Sequence, residues 1–183
     1  EFNRERLLTQ MNHNEGPALA VADINMDGID DVFIGGGKGQ TAALYLSDDN
    51  GTYQSIVRPF EKDKGSEDTH AIWVDMDQDQ DLDLVVASGG RAFSVYSQDL
   101  NDRIYENKGN GVLQKVASPW ISDRKFSSKA LAAADVNRDG KIDLFVGERY
   151  STFTYGVPTD GFLMINQGER KFMQQAQSSL ERI

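Results

Sequence analysis

Apolar positions along the chain fall in short bursts. In the first stretch, ALAVAD, DVFIGG, AALYLS and TYQSIV either alternate apolar with polar residues or run in β-branched and aromatic ones, with Gly, Asn and Asp between them. That is the pattern of short strands joined by tight turns. AIWVDM, LDLVVAS, RIYEN and VLQKV follow, then ALAAAD, IDLFVG, FLMIN and KFMQQ, and no stretch makes a convincing helix. The chain is expected to be all-β.

The bursts repeat in register. Leu44 to Tyr53, Ile104 to Leu113 and Leu163 to Phe172 are each nine residues apart, across SDDNG, NKGNG and NQGER, and Tyr53 to Asp75 and Leu113 to Asp135 are both 22 residues apart. Pro59-Phe60 and Pro119-Trp120 stand at one distance before the next acidic loop, as Leu7-Leu8 does before Asp23. Extra length falls between the acidic loop and the third strand, where repeats two and three hold eight and seven additional residues. A four-stranded unit of about 50 to 60 residues matches a propeller blade, with a linear β-solenoid as the main rival. First strands rich in Ala (Ala18, Ala20, Ala71, Ala130, Ala132, Ala134) suit strands crowding toward an axis.

The expected division is a single repeat domain over 1–183: a linker from a preceding blade at 1–17, blades at 18–57, 58–117 and 118–176, and the start of a further linker at 177–183. Three blades are fewer than the four to eight that close a ring, so the expectation is a fragment of a larger propeller or a half-ring completed by a second copy through open blade edges. The chain opens at Glu1 without a signal-peptide pattern, and its natural start is expected upstream.

Charge sharpens the picture. The net charge is −10, and the windows DINMDGIDD (23–31), DMDQDQDLD (75–83) and DVNRDGKID (135–143) carry −4, −5 and −1. They account for all of it. The acidity is therefore local, and nothing supplies the clustered Lys and Arg that a nucleic-acid partner needs. No apolar run approaches the roughly 20 residues that span a bilayer. The absence of Cys excludes disulfides and thiolate metal sites.

All three windows read D-x-[DN]-x-D-x-x-x-D. A hard divalent cation takes six to eight oxygens at about 2.3–2.6 Å, which such a loop supplies from alternate side chains and one backbone carbonyl. The candidate ligands are Asp23, Asn25, Asp27 and Asp31 with the Ile29 carbonyl; Asp75, Asp77, Asp79 and Asp83 with that of Asp81; and Asp135, Asn137, Asp139 and Asp143 with that of Lys141. Gly28 and Gly140 suit the backbone reversal, whereas Gln80 at the same place is expected to impose strain of order 1 kcal/mol. An EF-hand is excluded: its twelfth position needs Glu and a following helix, and here that position is Ile34, Val86 or Val146 within an apolar strand.

The strings ALAVADINMDGIDDVFIGGG, KALAAADVNRDGKIDLFVGER and AIWVDMDQDQDLDLVVASGG resemble FG-GAP/VCBS repeats, the calcium-loop blades of integrin alpha-type propellers and of many secreted bacterial proteins. The order GPALAVADINMDGIDD, GGGKGQ, DLDLVVASGG and DRIYENKGNG is most similar to the bacterial ASPIC/UnbV, cartilage acidic protein-like group. The resemblance implies up to three structural Ca²⁺ ions at the residues above. It also implies an extracellular or cell-surface location, such as a bacterial outer surface, and a role in adhesion or binding.

Other motifs add little chemistry. GGGKGQ at 35–40 lacks the G-x-x-x-x-G-K-[ST] spacing and a following helix. His13 and His70 are isolated among loop-like residues and are expected at the surface. With only these two histidines as bases, no Ser-His-Asp set can be assembled, and Glu148 is a weak glycosidase candidate. The two insertions carry Arg91, Phe93, Tyr96, Arg149, Tyr150, Phe153 and Tyr155, residue types favoured at recognition surfaces, all emerging at one position of the blade. The leading expectation is a non-catalytic, calcium-stabilised propeller segment that binds a protein or a glycan. The alternatives are a polysaccharide lyase or hydrolase on the same fold and a pure assembly module.

Overall fold

The computed structural model describes residues 16–117, 127–150, 159, 161–168 and 171–175. Among these residues, twelve strands form three antiparallel sheets, each a four-stranded meander in chain order. The first sheet holds β1 (Leu19–Ala22), β2 (Asp31–Ile34), β3 (Ala43–Ser47) and β4 (Tyr53–Ile56). The second holds β5 (Asp68–Val74), β6 (Asp83–Ser88), β7 (Arg103–Asn107) and β8 (Leu113–Val116), and the third β9 (Ser127–Ala134), β10 (Asp143–Tyr150), β11 (Gly161–Asn166) and β12 (Phe172–Gln174). Among the described residues there is no α-helix, only 3-10 turns at Arg58–Asp63 and Gln98–Leu100. The architecture is a propeller-like fragment of three blades.

The nine-residue spacing has a direct structural cause. Ser47 pairs with Tyr53, Asn107 with Leu113 and Asn166 with Phe172, so the same tight turn closes each outer hairpin in the same register. Strands β5 and β9 begin earlier than their apolar runs, at Asp68 and Ser127, because polar residues there are buried between blades rather than solvated. Both extensions pass through a register shift in pairing.

Packing follows the two-residue period of a strand. On β6, Leu84 and Val86 face the first sheet with Phe33, Leu44 and Tyr105, while Val85 and Ala87 face the third with Leu131, Leu144, Val146, Phe162 and Met164. The second sheet is thus covered on both faces, and its strand β6 is buried throughout. Phe60, carried by the first 3-10 turn, closes the first interface, with its ring centroid 5.3 Å from Phe33 and 4.9 Å from Tyr105 in edge-on contacts. Fully burying a side chain of this size stabilises by roughly 1.5–3 kcal/mol.

The inner strands approach closely because their residues are small. A Cβ on Gly35 would lie 2.6 Å from the Cβ of Asp68, so that position has no room for a side chain. Ala18 N–H donates to the Asp68 carbonyl (3.1 Å), and the Thr69 hydroxyl donates to the Ser128 carbonyl, which ties successive first strands together. His70, expected at the surface, is half-buried here, and its Nδ1 accepts the Leu131 N–H at 3.1 Å. Burial, followed by the charge of Lys129, lowers its pKa. His13 lies outside the described residues.

The outward faces of the end blades are apolar as well. Leu19 and Val21 are 59% and 51% exposed on the first sheet, and Phe145 is 37% exposed on the third. Phe33, Val85 and Phe145 hold equivalent register positions, and among the described residues the first two are covered by a following blade.

Candidate metal centre

Each acidic loop joins the first strand of a blade to the second. In the first, Asp23 accepts the N–H groups of Asp27 (3.1 Å) and Gly28 (2.7 Å), Asn25 Oδ1 accepts that of Asp27 (3.0 Å), and Asp27 Oδ1 accepts that of Ile29 (2.9 Å). The third loop repeats this set: Asp135 accepts from Asp139 (3.1 Å) and Gly140 (2.9 Å), Asn137 from Asp139 (2.9 Å), and Asp139 from Lys141 (2.9 Å). In the second, Asp75 accepts from Gln78 (2.7 Å) and Gln80 (3.1 Å), and Asp79 from Asp81 (3.0 Å). The backbone of each loop is therefore wound around its own acids.

Such winding requires left-handed residues. Met26, Gln78 and Arg138 at the fourth position have φ of 59°, 67° and 63°, and Gly28, Gln80 and Gly140 at the sixth have 88°, 76° and 85°. Gln80 adopts the conformation that the other two loops assign to glycine.

The ninth-position acids are placed differently from the rest. Asp31, Asp83 and Asp143 are buried, at 0–1% exposure. Each accepts one N–H from its own loop (Ile24 3.1 Å, Met76 3.3 Å, Val136 3.0 Å) and one from the end of the third strand (Ser47 2.8 Å, Asn107 2.9 Å, Asn166 2.8 Å). An ionised carboxylate has about four lone-pair sites, so two remain for a further partner. Burial pushes Asp83 up to about 6 and raises Asp31 as well, with nearby loop carboxylates adding to both. Asp79 is raised chiefly by burial, while Asp139 is lowered, first by the Lys141 N–H.

The donor set fits a hard cation. One carboxylate oxygen from each of Asp75, Asp77 and Asp79 lies within 4.8 Å of the others, a group that could hold a metal ion. Oxygens that share one ion at about 2.3–2.6 Å can be no more than about 5 Å apart. Oxygen-only donors and a local excess of negative charge match Ca²⁺ or Mg²⁺ chemistry better than that of a softer metal. Ile29, Asp81 and Lys141, the expected carbonyl donors, are each fixed through their N–H by the fifth-position acid.

The insertion between β6 and β7 lies on the opposite side of the strands from the acidic loops. Phe93 is buried and takes the Lys38 ammonium 4.5 Å from its ring centroid, while Lys38 also donates to the Ala92 carbonyl (3.1 Å). Arg91 is buried beside it, and Tyr96 is 83% exposed. A cavity of about 910 Å³ opens between Ile34, Tyr45, the 35–38 backbone, Glu67 and Arg91. Arg149 is exposed on β10, whereas the Tyr150 side chain, Phe153 and Tyr155 lie outside the described residues.

A buried polar layer on this side escaped the sequence reading. Arg103 pairs with Asp68, whose other oxygen accepts the Gly36 N–H (2.8 Å), and Arg103 also reaches the Ser88 hydroxyl (3.1 Å). Asp102 accepts the Ser88 N–H (2.8 Å) and the Ser128 hydroxyl (3.0 Å), and burial pushes its pKa up to about 7. The usable signal was an adjacent acid and base, Asp102 and Arg103, leading into the apolar pair Ile104-Tyr105 of β7.

Comparison with curated proteins finds no match to the chain. The FG-GAP-like repeat model matches twice, over residues 23–86 and 75–146, so that each match runs from one acidic loop into the second strand of the following blade. Together the matches cover more than half of the sequence, and the chain belongs to the FG-GAP-like repeat family.

Proposed function

We propose that this propeller module binds calcium structurally in its three acidic loops, belongs to a secreted or cell-surface protein, and is a non-catalytic binding element. The observation that carries the reading is the convergence of Asp75, Asp77 and Asp79 within one ion's reach, in a loop type that recurs twice. Calcium supplies the positive charge that offsets the crowded carboxylates of each loop. The chain's own residues do the rest: the loop N–H groups aim the acids inward, and Asp31, Asp83 and Asp143 fix each loop to its third strand. Site affinities of about 10⁻⁴ to 10⁻³ M suit an extracellular module. Among the described residues, no helix is long and apolar enough to cross a membrane.

The partner of this module is a protein or a glycan, met by the 35–38 cavity with Arg91 in its lining and by the exposed Tyr96 and Arg149. The open apolar faces of the first and third blades favour association with a second copy. Membership of the bacterial ASPIC/UnbV group is part of the same proposal.

The test is thermal unfolding in chelator, in Mg²⁺ and in millimolar Ca²⁺. One site at ten times its Kd stabilises by about 1.4 kcal/mol, so three filled loops should raise Tm by several degrees. An unchanged midpoint would remove calcium from the account.

A further inference from the structure

Asn107 and Asn166 end the third strands of the second and third blades. Asn107 is held through its backbone N–H by Asp83 Oδ1 (2.9 Å), the last acid of its own loop. Its amide donates backward to the Ile24 carbonyl of the preceding loop (2.8 Å) and to Leu82 in its own (3.3 Å). Asn166 repeats every contact: its N–H goes to Asp143 Oδ1 (2.8 Å), and its amide to the Met76 carbonyl of the preceding loop (2.9 Å) and to Ile142 (3.1 Å). Chemistry fixes the amide orientation, since both neighbours are carbonyls and only the NH₂ can face them. The amide oxygens accept the N–H groups of Gly109 (3.0 Å) and Gly168 (2.9 Å).

Ile24 and Met76 sit between the first two ligand positions of their loops. Each asparagine is therefore held by one loop and itself holds the loop before. Ser47, at the equivalent place in the first blade, keeps only the local half: its N–H goes to Asp31 (2.8 Å) and its hydroxyl to the Asp30 carbonyl (2.7 Å). A second bridge runs from the Gln78 amide to the Gly140 carbonyl (2.8 Å), joining loops two and three.

We infer that Asn107 and Asn166 are positioning residues that couple cation binding between successive loops, so that filling one loop raises the affinity of the loop before it. The inference rests on the reading of these loops as calcium sites. Ordering loop three fixes Asp143 and with it Asn166. Asn166 then holds the Met76 carbonyl, and hence the backbone carrying Asp75 and Asp77, in place. Loop two has less conformational freedom left to lose when its own ion arrives. The coupling is reciprocal: an ion in loop two favours one in loop three by the same factor.

The experiment is a calorimetric Ca²⁺ titration of the full chain as a double-mutant cycle: wild type, Asp139→Ala, Asn166→Ser and the pair. Serine is chosen because the protein itself uses it at position 47. Asp139→Ala should lower the affinity of loop two about fivefold or more, and that loss should shrink severalfold in the Asn166→Ser background, where only the Gln78 bridge still joins the two loops. A merely structural asparagine would lower Tm yet leave the Asp139→Ala effect unchanged, and this additive result overturns the coupling while leaving calcium binding intact. If wild type takes up no Ca²⁺, the calcium reading itself falls and the coupling goes with it. Should Asn166→Ser fail to fold by circular dichroism, Asn107→Ser with Asp79→Ala runs the same cycle on loops one and two.

Discussion

The Ser128 hydroxyl in the third blade donates to Oδ2 of Asp102 in the second at 3.0 Å, while Oδ1 accepts the Ser88 N–H. Two blades thus share one buried carboxyl group. Its folded pKa, about 7, lies above the ordinary value of 3.8 because burial disfavours the charge. Below that ordinary value the group is protonated in both states and has no effect. Between 3.8 and 7 the unfolded chain releases the proton more readily, so stability falls as pH rises, and above 7 the full penalty remains. Asp102→Asn keeps the Ser88 contact and offers an N–H to Ser128. It should be more stable than wild type by a few kcal/mol at pH 8, with the gap closing toward pH 4 in parallel urea titrations. A gap that did not vary with pH would remove Asp102 as the cause.

Gln80 has φ of 76° where its counterparts are glycine. Gln80→Gly should relieve strain of about 1 kcal/mol and raise Tm by about 2–4 °C. Calorimetry in chelator isolates the backbone effect from ion binding. A lower Tm would mean that the glutamine makes a compensating contact.

Arg103 and Asp68 form a buried ion pair with side chains at 5% and 3% exposure. Arg103→Met leaves the Asp68 carboxylate enclosed without its cation and should cost about 3–5 kcal/mol in urea unfolding. Adding Asp68→Asn, which can keep the Gly36 N–H contact, should recover most of that loss.

Phe33 and Phe145 hold one register position in two blades but differ in cover, at 0% and 37% exposure. Phe33→Ala should cost about 3–5 kcal/mol. Phe145→Ala should cost much less in a monomer, and light scattering beside the unfolding curves shows whether association raises that figure.

The repeat was legible because it is periodic on two scales. Alternation located the strands, and the nine-residue and 22-residue offsets aligned the blades, since identical hairpins need identical loop lengths. What stayed hidden depends on contacts between blades. Asp68, Asp102 and Arg103 look like solvated charges in a linear reading, and only the packing of successive first strands encloses them. Phe93 stands in an insertion rich in residue types favoured at recognition surfaces, and only the structure shows it packed inward under Lys38. Asn107 and Asn166 pass for turn residues. Aligning the repeats places them at one offset, three residues after Ile104 and Leu163, which was the available clue.

The asparagine tie has a bearing on how such chains lengthen. It grips the neighbouring blade by a main-chain carbonyl, at Ile24 and at Met76, so it is indifferent to which side chain that neighbour carries there. A joint that reads only backbone needs no matched mutation on the other side. A duplicated blade can be spliced into the series and fastened at once, and its surface is then free to diverge.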